Sequence, residues 1–156
     1  MGDLVQFVNA ITGSPTVLLD LNDETVFAVS DWSAPPPELR RSTANSMMVD
    51  GERDAVTAYG GRTLTLGLEL VTANQDTNAV ALQSLARLLD RPSGWLKFQP
   101  TGMSKPVFFR LRRSDLTEIQ DVASASAYRK LKIRLPADPF AYGLPETGTA
   151  SVSNDP

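Results

Sequence analysis

The chain contains no cysteine and no histidine. The first absence removes disulfide frameworks and thiol nucleophiles, and the two together remove Cys/His zinc sites. Without histidine the chain also lacks the commonest general base at neutral pH. Aromatic residues are sparse at 7%, and charge is modest at 21% with a net of −3, so the excess of Lys and Arg that neutralises phosphates is missing. Nucleic acid is therefore not expected as the principal partner. No apolar run approaches the roughly 18 residues needed to span a bilayer. Met1-Gly-Asp-Leu-Val-Gln6 has neither the basic start and apolar core of a secretion signal nor the Ser or Thr that myristoylation prefers at position 6. The expectation is a protein made and kept soluble, with no membrane anchor. What remains is apolar content of 42% over 156 residues, enough for one domain with a sizeable core.

Strand signals dominate what is present. Leu4 to Val8 and Thr16 to Leu21 are short apolar runs separated by the turn cluster Thr12-Gly-Ser-Pro15. Asn22-Asp23 turns the chain into Thr25 to Val29, which predicts a hairpin between the two strands on either side. Trp32 to Asn45, with Pro35-Pro-Pro37 inside it, reads as an extended surface loop, because proline donates no ladder hydrogen bond. Met47 to Val49, the turn signal Asp50-Gly51 and Ala55 to Tyr59 predict a second hairpin. The clearest strand is Arg62 to Val71, where Leu64, Leu66, Leu68 and Leu70 alternate with Thr63, Thr65, Gly67 and Glu69.

One helix is predicted from about Asp76 to Asp90, capped by Asn74 or Asp76 and packed through Leu82, Leu85 and Leu89. Further strands follow at Trp95 to Gln99, Val107 to Arg113, Leu116 to Gln120 and Tyr128 to Leu135. In the last of these, Leu131, Ile133 and Leu135 alternate with Lys130, Lys132 and Arg134, and Pro136 and Pro139 are expected to stop it. Strands flanking a single helix imply a mainly β, antiparallel sandwich or barrel with one helix laid across it.

No catalytic constellation emerges. The glycines lack phosphate-loop spacing. Asp20, Asn22, Asp23 and Glu24 lack the glycine and terminal glutamate of a calcium loop, and Asn and Asp favour turns by bonding their own backbone. Leu144-Pro-Glu-Thr-Gly148 matches a sortase signal, but the segment after it is polar, without the apolar span and basic tail an anchor requires. Accordingly no catalytic residue, cofactor or metal ligand is assigned. A carbohydrate-binding β-sandwich is the alternative class, with Trp32, Trp95, Tyr128 and Tyr142 as its stacking rings.

Several segments, in order, resemble the N-terminal ring domain of siphophage distal tail proteins, above all the minor tail proteins of actinobacterial phages. They are Pro36-Pro-Glu38 leading to Val49-Asp-Gly51, Tyr59-Gly-Gly-Arg-Thr-Leu-Thr-Leu-Gly-Leu-Glu-Leu70, and the helix ending Leu85-Ala-Arg-Leu-Leu-Asp90. Gly94-Trp-Leu-Lys-Phe-Gln99, Pro106-Val-Phe-Phe-Arg110 and Leu135-Pro-Ala-Asp-Pro-Phe-Ala-Tyr-Gly143 complete the series. The resemblance covers residues 1–143, with 144–156 as a linker or the start of a further segment, where family members often carry a second β-sandwich. It implies a structural, non-enzymatic part of a virion, made in the host cytoplasm and carried at the tip of a long non-contractile tail. It further implies a β-sandwich like the tube protein's, a homo-oligomeric ring of usually six copies, and contacts with the tail tube, hub or tip and tape-measure proteins. DNA would pass through the ring without specific binding. Thr63, Thr65, Glu69, Lys130, Lys132 and Arg134 are the candidate channel- or solvent-facing residues.

Overall fold

The computed structural model describes residues 2–45, 52–114, 116–121 and 127–145. The described elements run β1 (Leu4–Val8), β2 (Val17–Asp20), β3 (Phe27–Ser33), β4 (Leu39–Asn45), β5 (Glu52–Tyr59), β6 (Arg62–Val71), α1 (Gln75–Leu89), β7 (Ser93–Gln99), β8 (Val107–Arg112), β9 (Leu116–Asp121) and β10 (Tyr128–Ala137). Eight strands form one antiparallel sheet in the order β2-β1-β7-β8-β10-β6-β3, with β9 also on β10. The fold is mainly β with one packed helix, as expected, and the sheet is not closed into a barrel. No described helix is long and apolar enough to cross a membrane.

The sheet folds back on itself at β10. One edge of that strand pairs with β6 from Tyr128↔Val71 to Ala137↔Arg62. Its other edge takes β9 over Arg129 to Ile133 and meets β8 at Ala137↔Leu111. Two halves result, β2-β1-β7-β8 and β3-β6-β10-β9, and their inner faces meet. Trp32 of β3 stacks on Phe98 of β7 with ring centroids 4.7 Å apart, although the two strands lie far apart in the sheet order. The core between the halves holds Leu64, Leu66, Leu68 and Leu70 with Leu131, Ile133 and Leu135, all essentially without solvent contact. Each buried side chain of this size is worth about 1.5–3 kcal/mol.

Helix α1 closes the core. Asn74 caps it, its side chain accepting from the Thr77 N–H at 2.9 Å, with Asp76 in the first turn and Arg87 in the last, as the helix dipole favours. The buried stripe is Asn78, Ala81, Leu85 and Leu89, so Leu85 and Leu89 pack as expected and Leu82 is only half-buried. Asn78 is fully buried and donates to the Ala127 carbonyl at 3.2 Å, tying the helix start to the residue before β10.

Three expectations are corrected. First, β2 and β3 do not form a hairpin: β2 pairs with β1 and β3 with β6. Asn22 is the reason, since it donates to the Asp3 carbonyl at 2.6 Å and accepts from the Val29 N–H at 3.0 Å, fixing a corner that carries the chain from one half to the other. Second, 32–45 is not a single loop. Residues 34–38 hold the prolines outside any strand, while β3 runs on to Ser33 and β4 begins at Leu39, because Trp32 fills the core and the missing donors are confined to the bend. Third, Pro136 does not stop β10, which continues to Ala137. Asp138 donates to the Arg110 carbonyl of β8 at 3.0 Å, and the Pro136 nitrogen, two residues earlier, faces the same edge. There β9 has ended at Ile133 and β8 is met only from Ala137, so no donor is needed.

Ala55 to Tyr59 does belong to a hairpin, as β5, but its partner is β4, within the stretch expected to be a loop, from Leu39↔Tyr59 to Asn45↔Glu52. Met47–Val49 and the Asp50-Gly51 turn lie outside the described residues, as do residues 146–156 of the expected linker and the end of the sortase-like motif.

Candidate assembly surface

The outer face of the β3-β6-β10-β9 half gathers all six residues expected there. Pairing aligns Pro136 with Thr63, Arg134 with Thr65, Lys132 with Gly67 and Lys130 with Glu69. Thr63, Lys130, Lys132 and Arg134 are exposed, and Thr65 and Glu69 are half-buried. Lys130 Nζ lies 3.7 Å from Glu69 Oε1, a cross-strand ion pair open to water and worth no more than about 1 kcal/mol.

Two further carboxylates join this face that the alternation pattern did not nominate. Asp31 of β3 and Glu118 of β9 flank the centre of the strand pair, Asp31 opposite Gly67 and Glu118 opposite Lys132. Asp31 was hidden because β3 bulges between Val29 and Asp31, which breaks the two-residue count along the strand. Gly67 makes the bulge possible. A Cβ there would come 2.9 Å from Ser30 Oγ and 3.0 Å from Asp31 Cβ, closer than real side chains approach. A shallow groove of about 240 Å³ lies over Gly67, bordered by Asp31, Glu118, Lys130 and Lys132. Three acids (Asp31, Glu69, Glu118) and three bases (Lys130, Lys132, Arg134) thus share one face. Such a surface hydrogen-bonds water well and concentrates no field of either sign.

The other half of the sheet ends differently at its two extremities. At the Ser93 end of β7 a cleft of about 240 Å³ is bounded by Leu18, Leu88 and Trp95, with Arg91 and Arg110 on its rim. Nearby arginines are engaged: Arg112 pairs with Asp138 at 3.3 Å, and Arg113 with Asp90 at 3.1 Å. At the Gln99 end a hollow of about 530 Å³ is bounded by Asp3, Asp23 and Glu24, with Met103 beside them.

The acidic loop is rigidly built. Asp23 Oδ1 accepts from the N–H groups of Thr25, Val26 and Phe27 at 2.9 to 3.1 Å. Burial alone pushes the Asp23 carboxyl up, but these N–H groups outweigh it and hold the group below the usual carboxylate range. Asp20 accepts from Gln6 Nε2 and from the Asn22 N–H. The cluster that faintly resembled a calcium loop is therefore a turn built on its own side chains. Among the described residues no group of three His, Cys, Asp or Glu is placed to hold a metal ion.

The four candidate stacking rings do not converge. Trp32 is sandwiched against Phe98 and Phe109 in the core, and Tyr128 is half-buried at the start of β10. Trp95 and Tyr142 meet edge-on at 5.4 Å on the opposite half.

No protein-family model matches the chain, and no curated protein does. Solved structures do share its fold. SPP1 Dit (gp 19.1), a paradigm of the hub adsorption apparatus in Gram-positive infecting phages, superposes with a TM-score of 0.61 at 16% identity, over 92% of this chain and 53% of that one. The phage P2 baseplate in its activated conformation with Ca gives 0.61 at 12% identity, over 86% of this chain and 44% of that one. With Sr the same baseplate gives 0.60 at 11% identity, over 85% and 43%. The chain thus spans about half the length of the solved chains it matches.

Proposed function

We propose that this chain is a structural, non-enzymatic component of a long non-contractile phage tail, forming a ring that joins the tail tube to the tail tip. Residues 1–143 make the ring domain, and 144–156 lead out of it. The observation that carries this reading is the form of the sheet. It is folded on itself but open at β2 and β3, and one outer face is polar and balanced in charge. An open sheet presents unpaired backbone groups at its edges, and assembly into a closed ring can cover them. A water-filled channel lined by a balanced polar face lets a polyanion pass without holding it, because retention of DNA grows with the number of phosphates neutralised. The fold shared with SPP1 Dit and the P2 baseplate supports the assignment.

Six copies, with the tail tube, hub and tape-measure proteins as neighbours, is the arrangement that the sequence resemblance implies. Thr63, Thr65, Glu69, Lys130, Lys132 and Arg134 would face the channel. The finished protein would reside in the virion, at the tail tip. Native mass spectrometry and negative-stain imaging of the purified chain, alone and with tail partners, test the reading. Rings with a central channel are expected, and a monomer at high concentration that stays monomeric with those partners would overturn it. A glycan-binding module would need converging aromatic rings, and these rings are dispersed over three places in the fold.

A further inference from the structure

We infer that neighbouring copies meet end to end along the β7 direction, with the acidic loop around Glu24 of one copy seated in the arginine cleft of the next. This rests on the ring reading and names the surfaces that would hold the ring together. The two features lie at opposite ends of one strand: Ser93, Gly94 and Trp95 bound the cleft, and Gln99 bounds the acidic hollow. Seven strand residues separate the two ends by about 20 Å.

The two surfaces complement each other in charge and in shape of polarity. The guanidinium groups of Arg91 and Arg110 have no ion pair or hydrogen bond among the described residues, whereas those of Arg112 and Arg113 nearby are each held by an aspartate. The cleft that these two arginines line also includes Leu88 and the exposed Leu18 of edge strand β2. The opposite end presents the reverse pattern. Met103 is 57% exposed and stands beside Asp3, Asp23 and Glu24, with no Lys or Arg bounding the hollow. An acidic surface with an exposed methionine is thus the complement, in charge, of a basic cleft with an apolar lining.

The acid end is also presented in a fixed form. Glu24 is held at φ 61, a left-handed conformation unusual for a residue other than glycine, by the bonds that Asp23 and Asn22 make on either side of it. Beside the cleft, the buried Ser114 hydroxyl has no hydrogen-bond partner among the described residues and lines a separate small recess that also touches Arg91 and Gly94. A two-fold contact that set cleft against cleft would bring four unpaired guanidinium groups together, which like-charge repulsion opposes. Matching opposite ends avoids this, and a contact of that kind repeats from copy to copy until a fixed rotation closes it.

Charge reversal tests the contact in the full chain by sedimentation velocity and native mass spectrometry. Arg91→Glu with Arg110→Glu is expected to move the midpoint of assembly to about tenfold higher protein concentration or beyond. Glu24→Lys should do the same, and combining it with the two arginine reversals should restore assembly. All these residues are on the surface, so the thermal midpoint should stay put and distinguish lost contact from lost fold. Reversal variants that assemble like the parent would overturn the contact and leave the ring standing. A parent chain that never assembles would remove both. Variants that still form rings but no longer bind an isolated tail protein would overturn it too, by giving the cleft to a different partner.

Discussion

The strand pairs β6–β10 and β4–β5 are both long and antiparallel, the first in unbroken register and the second with a shift between Ser42 and Thr43. In β6–β10 every second residue is a buried leucine or isoleucine, and the pair lies between β3 and β9. The β4–β5 hairpin pairs only with itself and meets the remainder of the domain at its base, where Tyr59 approaches Phe140 edge-on at 5.1 Å. Both of those rings are 53% exposed. Ladder hydrogen bonds are common to the two pairs, and among the described side chains β6–β10 supplies much of the core. A two-stranded hairpin by itself is marginal in water, whereas β6–β10 is the centre of the core.

The comparison can be broken most severely at the core side. Leu66→Ala or Leu85→Ala should lower unfolding stability by about 2–5 kcal/mol, read from urea denaturation, because each leaves a cavity between close-packed neighbours. A cost as small as that of a hairpin substitution would mean the two regions do not differ as described. Gly67→Ala comes next, at about 1–3 kcal/mol, since its methyl group would crowd Ser30 Oγ and Asp31 Cβ at the bulge. Unchanged stability there would show that the β3 bulge adjusts freely. Asn74→Ala should cost about 0.5–2 kcal/mol through the lost helix cap, visible as a lower thermal midpoint.

Smaller effects sharpen the contrast. Tyr59→Ala should cost no more than about 1.5 kcal/mol, because its ring pair is half in solvent. Asp23 supplies a pH signature. Its folded-state pKa is depressed, so its contribution to stability is present above the unfolded carboxyl value and is lost as pH falls through the folded one. Denaturation midpoints measured from neutral to strongly acidic pH should show this loss, and Asp23→Asn should flatten the acid limb. An unchanged limb would mean that the three N–H bonds to Asp23 add nothing net.

The same contrast explains what the sequence made legible. Alternation of leucine with threonine placed β6 at Arg62–Val71 with its correct inner face, and alternation of leucine and isoleucine with lysine did the same for most of β10. With both faces right, the approach of Lys130 to Glu69 followed from adjacency. Helical spacing placed α1 within one residue at either end. Periodicity reports which face is buried, however, and says nothing of which strand lies alongside. That is why the pattern predicts a hairpin of β2 and β3 where Asn22 and Asp23 in fact build a corner. Pro136 misled for a related reason: its missing donor matters only where a partner strand needs it. The polar face was legible except where a bulge shifted the count at Asp31 and a short strand hid Glu118. The arginine cleft could not be read at all, because Leu18, Leu88, Trp95 and Arg110 come from four separate elements.

The double pairing of β10 also fixes when the domain can become complete. β6 leaves the ribosome long before β10, and until Tyr128–Ala137 follows, the apolar face of four leucines lacks its principal neighbour. Because the same late strand meets β8 at Ala137 and β9 over its first half, both halves of the sheet are joined only when that strand appears. Closing so distant a pair carries the entropy of a long intervening chain. Folding should therefore be slow and all-or-none, and a nascent chain halted before Tyr128 should expose its leucine face to chaperones and remain unable to assemble.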